Sequence, residues 1–169
     1  MKRVDEEWKR ALNGFDAVWR RVSTQETAEP QAPEAPKLCP AERLRGFLAE
    51  EAARAVYYCA VARLTDGRCA ETLRSLSADC GKCAQKLKTE YFLLTGETWA
   101  PAPKRLQPDG LLGYLRRAYL TEGAAAREYG EAAAEAENDT LRPLFAELAE
   151  RCTRRRESVR TLVCRIMMA

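Results

Sequence analysis

The chain contains the same unusual pattern twice. Glu51 and Tyr58 recur as Glu122 and Tyr129, 71 residues on, while Cys80 and Cys83 recur as Cys152 and Arg155, 72 residues on. An offset this steady marks an internal repeat of two helical hairpins. All eight residues fall at positions that helical spacing turns toward the core. Burying a carboxylate, a thiol or a guanidinium costs free energy unless each finds a partner, so residues placed there in both halves are expected to meet at one site.

With 169 residues, 46% of them hydrophobic, the chain is long enough for one domain with a real core plus a tail. A net charge of +3 is too small to draw in nucleic acid or an anionic membrane, and no apolar run reaches the roughly 18 residues of a membrane span. The opening Met1-Lys2-Arg3-Val4-Asp5-Glu6-Glu7 lacks the apolar core of a signal peptide. The seven cysteines are therefore assigned to a reducing cytoplasm rather than to a secreted disulfide framework. The sequence has no histidine, which excludes Ser-His-Asp and Cys-His triads and every imidazole metal ligand.

Three stretches follow one another. Residues 1–23 read as an amphipathic helix, with Val4, Trp8, Leu12, Phe15, Trp19 and Val22 three or four apart. Residues 24–38, carrying Pro30, Pro33 and Pro36, read as an extended linker. Residues 39–169 read as four helices. Pro40 suits the first turn of one running to about Leu64; Asp66-Gly67 turns the chain into a second, from about Arg68 to Thr95, stopped by Gly96. A long connection with three prolines, residues 97–109, leads to a third over about Leu111–Glu137. It is just long enough to cross the whole bundle, since thirteen extended residues span roughly 43 Å. A fourth helix covers Leu141 to about Met168, with Asp139 or Thr140 as its cap.

The seams of these helices are regular. Leu44, Leu48, Glu51, Ala55, Tyr58 and Ala62 form the first; Cys69, Leu73, Leu76, Cys80, Cys83 and Leu87 the second. Leu115, Tyr119, Glu122, Ala126, Tyr129 and Ala133 form the third; Leu141, Phe145, Leu148, Cys152, Arg155, Val159, Leu162 and Ile166 the fourth. Each is apolar except near its middle. Four seams interrupted at matching depth predict an all-α four-helix bundle with a site inside it.

Residues 41–167 resemble the ferritin-like superfamily, specifically its small bacterial rubrerythrin-like members. Glu51 and Glu122, with Tyr58 and Tyr129 seven residues on, match the family's two single glutamates, and Tyr91-Phe92-Leu93-Leu94-Thr95-Gly96-Glu97 resembles the end of its second helix. The resemblance implies a ferritin-like bundle with a long crossover between the second and third helices. In that family the second and fourth helices each supply Glu-x-x-His, and the whole set holds two irons. Here Cys80-Gly81-Lys82-Cys83 and Cys152-Thr153-Arg154-Arg155 stand at those places. Four of six expected ligands differ, so the family's di-iron centre is not expected.

Carried over residue by residue, the resemblance gives the first metal position Glu51, Cys80, Cys83 and Cys152. Three thiolates and a carboxylate suit one Zn or Fe ion. The second position would retain Glu122 beside Arg155, whose guanidinium stays protonated and cannot bind a metal; Arg155 is expected to replace that ion as the salt-bridge partner of Glu122. Tyr58 and Tyr129 are expected to bond the carboxylates.

Two other readings stay open. The cysteines could be small buried apolar residues of a metal-free interaction or structural module, or Cys80 and Cys83 could form a thiol redox pair with Cys152 as resolving thiol, strained by its mid-helix position. A closed four-ligand site would itself be structural, so enzymatic activity is left undecided. Arg151, Arg154, Arg155, Arg156 and Arg160 form a basic cluster without interleaved aromatics; Glu128, Glu131 and Glu135 are expected to face it, and nucleic acid is not expected. The N-terminal stripe of Trp8, Phe15 and Trp19 is expected to be buried on its own bundle, on a protein partner or on a second copy.

Overall fold

The computed structural model describes residues 39–102 and 109–168. The N-terminal helix and Pro-rich linker expected over residues 1–23 and 24–38 lie outside the described residues. Within them, four helices follow in order: α1 (Pro40–Ala62), α2 (Gly67–Thr95), α3 (Leu111–Glu135) and α4 (Leu141–Met168), and there is no strand among the described residues.

The helix ends follow from local chemistry. Pro40 opens α1, where its missing N–H belongs to the unpaired first turn in any case. Gly96 closes α2 at φ 72°, a left-handed conformation that a side chain would oppose, and its N–H bonds the Phe92 carbonyl at 2.7 Å. The start of α4 differs from expectation. Neither Asp139 nor Thr140 caps it; the Asn138 side-chain oxygen accepts from the backbone N–H groups of Thr140 at 2.8 Å and Leu141 at 3.2 Å. Those are the second and third orphan donors that a capping side chain reaches when it stands one position before the first turn.

Backbones approach closely within two hairpins, α1–α2 and α3–α4, and much less closely between them. Arg43 to Glu135 (2.7 Å) and the Tyr57 hydroxyl to the Tyr114 carbonyl (2.7 Å) run α1 antiparallel to α3. Asp79 to Arg151 (2.5 Å) and Lys86 to Glu147 (2.6 Å) run α2 antiparallel to α4. The interior is layered. One apolar cluster includes Leu44, Leu48, Leu87, Tyr129, Phe145 and Leu148; the other includes Leu73, Leu76, Leu115, Val159 and Leu162. The buried charged residues Glu51, Arg54, Glu122 and Arg155 interrupt the two.

On α3 the buried line runs through Ala118, Glu122, Ala125, Tyr129 and Ala132. Tyr119, Ala126 and Ala133, expected on that seam, are only half-buried. Small residues at the inner positions let α4 come close, while the displaced Tyr119 ring receives the Arg156 guanidinium 4.2 Å from its centroid. A side-chain carbon at the neighbouring Gly123 would lie 3.1 Å from Arg156 Nε, so glycine there makes room for this stack. Among the described residues no helix is long and apolar enough to cross a membrane.

Candidate functional site

Arg155 is the centre of the buried layer. It projects from mid-α4 at a position where helical spacing aims every neighbour on the same face, Leu148, Cys152, Val159 and Leu162, into the core. A guanidinium has five N–H donors, and each has an acceptor here. Nε lies 3.0 and 3.1 Å from the two Glu122 oxygens. Nη2 meets Glu51 Oε1 at 2.9 Å and Cys152 Sγ at 3.1 Å, and Nη1 meets Asp79 Oδ2 at 2.9 Å and Cys83 Sγ at 3.5 Å.

Two tyrosines and a second arginine complete the layer. The Tyr58 hydroxyl donates to Glu122 at 2.8 Å, and the Tyr129 hydroxyl donates to Glu51 at 3.1 Å. The exchange is reciprocal: each hairpin's tyrosine serves the other hairpin's glutamate. Arg54 Nη2 adds a contact to Glu51 at 2.8 Å. Two buried carboxylates therefore face two buried guanidinium groups, and the partly exposed Asp79 and Arg151 pair with each other beside them. The layer is neutral as a whole, the condition under which buried charges are tolerated.

The electrostatics fix the protonation states. Burial opposes the Arg155 charge, but Glu51 and Glu122 outweigh it and hold the guanidinium more firmly protonated than usual. For Arg54 burial is likewise outweighed, chiefly by Glu51. Burial pushes the thiols of Cys80, Cys83 and Cys152 up, Cys83 to about 11, with Glu51 adding to the rise and Arg155 opposing it. Burial and a bonded carboxylate also raise the phenols of Tyr58 and Tyr129, which remain neutral donors.

The layer departs from the sequence expectation in two ways. Arg155 does not serve Glu122 alone; it spans Glu122 and Glu51, so the carboxylate assigned to the first metal is already engaged by the guanidinium. The thiols, in turn, do not all bond the guanidinium. Cys83 and Cys152 belong to the Leu48–Phe145 cluster and touch Arg155, whereas Cys80 packs in the cluster of Leu73, Leu76 and Val159. Three residues of helix rise about 4.5 Å, enough to put Cys80 and Cys83 in different clusters. Among the described residues no group of three or more Cys, Asp or Glu is arranged to hold a metal ion. All three buried thiols are free, as are Cys39, Cys59, Cys69 and Cys164.

No family model, curated protein or solved structure matches this chain. The site is therefore read from its own geometry.

The basic cluster also resolves differently from expectation. Arg151 bonds Asp79 and Glu147, Arg155 is in the core, Arg156 stacks on Tyr119, and Arg160 pairs with Glu157 at 3.1 Å. Glu135 faces Arg43 on α1 instead. Five arginines within ten residues of helix point around its circumference rather than along one face.

Sequence reasoning missed Arg54 and Asp79. Arg54 sits three residues after Glu51, one position off the apolar seam, and its repeat counterpart is Ala125. A signal for Asp79 was present: it is related to Arg151 by the same 72-residue offset, so the repeat places opposite charges at equivalent positions.

Proposed function

We propose that this chain is a ferritin-like, rubrerythrin-type bundle in which the Arg155 guanidinium stands in place of the whole metal pair, and that it works as a non-catalytic structural or interaction module. One observation carries the reading: the residues that bond Arg155 include Glu51, Glu122, Cys83 and Cys152, four of the positions that would have held metal. A group fixed as a cation, with every donor engaged, does the electrostatic work of bound ions without their reactivity. The residues do not fit a di-iron centre, because both remaining glutamates serve the guanidinium and no imidazole exists to replace the thiols.

The antiparallel contacts support the ferritin-like connectivity. They set the end of α2 and the start of α3 at opposite ends of the bundle. The partner-binding role falls to Trp8, Phe15 and Trp19, with a protein partner or a second copy of the chain as the candidates.

A second reading, one Zn or Fe ion on Glu51, Cys80, Cys83 and Cys152, has in its favour that Cys83 and Cys152 lie against one guanidinium beside Glu51. It requires Arg155 to release Glu51 and three raised thiols to lose their protons. Metal analysis of protein purified without oxygen, with a free-thiol count before and after chelation, separates the two. The first reading expects no stoichiometric metal and a free-thiol count that chelation leaves unchanged. About one Zn or Fe per chain, lost in Cys83→Ser, would replace it with the second. A Cys80–Cys83 or Cys80–Cys152 disulfide would instead establish a thiol redox protein.

A further inference from the structure

Asp79 is the one acceptor of Arg155 that reaches solvent. Its side chain is 29% exposed, against 0% for Glu51 and Glu122. It also binds Arg151, which binds Glu147, which binds Lys86. The outer α2–α4 seam is therefore held by a chain of water-accessible ion pairs, and beyond Lys86 it becomes a surface cleft lined by Glu90, Pro143 and Leu144. Exposed pairs of this kind are individually weak and screened by salt. The opposite α1–α3 seam carries such a pair, Arg43–Glu135 at its end, and is otherwise packed with aromatic rings.

We infer that the bundle opens along the α2–α4 seam, that Asp79 is the latch, and that opening presents Cys83 and Cys152 to solvent together while Cys80 stays covered. Asp79, Cys83, Lys86 and Glu90 recur three and four residues apart along the α2 face turned to α4. Cys80 lies off that face, in the other apolar cluster, whose α1 and α3 members, Tyr58 and Leu115 among them, remain when α4 parts. Parting α2 from α4 frees Arg155 Nη1 from Asp79 and uncovers the two thiols that share its guanidinium. The bundle thus carries a conditionally accessible thiol pair, one from each hairpin, and this holds whether or not the chain is ferritin-like.

Pulsed alkylation of the native full-length protein with iodoacetamide, read cysteine by cysteine by mass spectrometry, tests this. Cys83 and Cys152 are expected to react at one shared rate, about tenfold or more faster than Cys80, because sub-global opening precedes global unfolding. Asp79→Asn, nearly isosteric, should accelerate the pair about tenfold and leave Cys80 within about twofold; 1 M NaCl should act in the same direction. Arg151→Gln, which keeps the Asp79–Arg155 bond, should give a smaller acceleration of the same pair. A single rate for all three thiols, or equal acceleration of all three in both variants, would overturn the proposal.

Discussion

The two seams that join the hairpins differ in what dominates them, although each also carries an exposed ion pair. Between α1 and α3, Phe47 packs 4.3 Å from Tyr129 and Tyr57 packs 5.9 Å from Tyr114, ring centroid to centroid, and Phe47 also meets Phe145 of α4 at 5.4 Å. Between α2 and α4, Asp79, Arg151, Glu147 and Lys86 take that place. Aromatic burial is proportional to area removed from water and indifferent to partner identity. Ion pairs depend on every member being present. The same fold is thus closed by a tolerant seam on one side and an exacting one on the other, with Arg155 between them.

The largest test of that difference is removal of the shared cation. Arg155→Met leaves Glu51 and Glu122 short of a partner, and urea titration is expected to show a loss of about 3–5 kcal/mol. Replacing Glu51, Arg54, Glu122 and Arg155 together by Met should restore stability to the wild-type value or exceed it by about 1–4 kcal/mol. If the quadruple variant is less stable than Arg155→Met, the layer contributes net stability beyond mutual compensation.

A smaller effect separates the seams by pH. The Cys83 thiol, on the ionic side, is raised to about 11 from a reference of 9.0. Its contribution is intact below pH 9, where folded and unfolded thiols are both protonated. It declines as pH climbs toward 11, because only the unfolded chain then ionises. Thermal melts between pH 8 and 10.5 should therefore fall in wild type, the share belonging to this thiol being on the order of 2 kcal/mol. Cys83→Ala should reduce the fall by about that share and leave the part due to Cys80 and Cys152. An equal slope in both proteins would shift the effect to Cys80 and Cys152, or to Tyr58 and Tyr129, whose groups are also raised.

The smallest effect is at the surface. Arg151→Gln should cost about 0.2–1 kcal/mol at low ionic strength and almost nothing in 1 M NaCl. A loss that persists in salt would make the outer ladder part of the core.

How far the sequence foretold this depends on distance from the helix seams. Three- and four-residue spacing located the four helices of the described residues, and Gly96 and Pro40 located two of their ends, because those signals are local. The repeat gathered Glu51, Glu122, Tyr58 and Tyr129 because equivalent positions on two hairpins face each other. It could not show how far one arginine reaches: a long side chain on α4 contacts α1, α2 and α3 at once, which spacing along a single helix does not encode. Asp79 and Arg54 stand just off their seams, so spacing alone gives them no place in the buried layer.

Cys83 and Arg155 occupy equivalent places in the two hairpins, yet only one of them is charged. That single inequality gives a nearly twofold object a head and a tail. If one hairpin slipped past the other by one helical turn of about 5.4 Å, the guanidinium would keep Glu122 of its own hairpin but lose Glu51 and Asp79 of the other. An otherwise permissive leucine interior thereby acquires only one alignment it can accept.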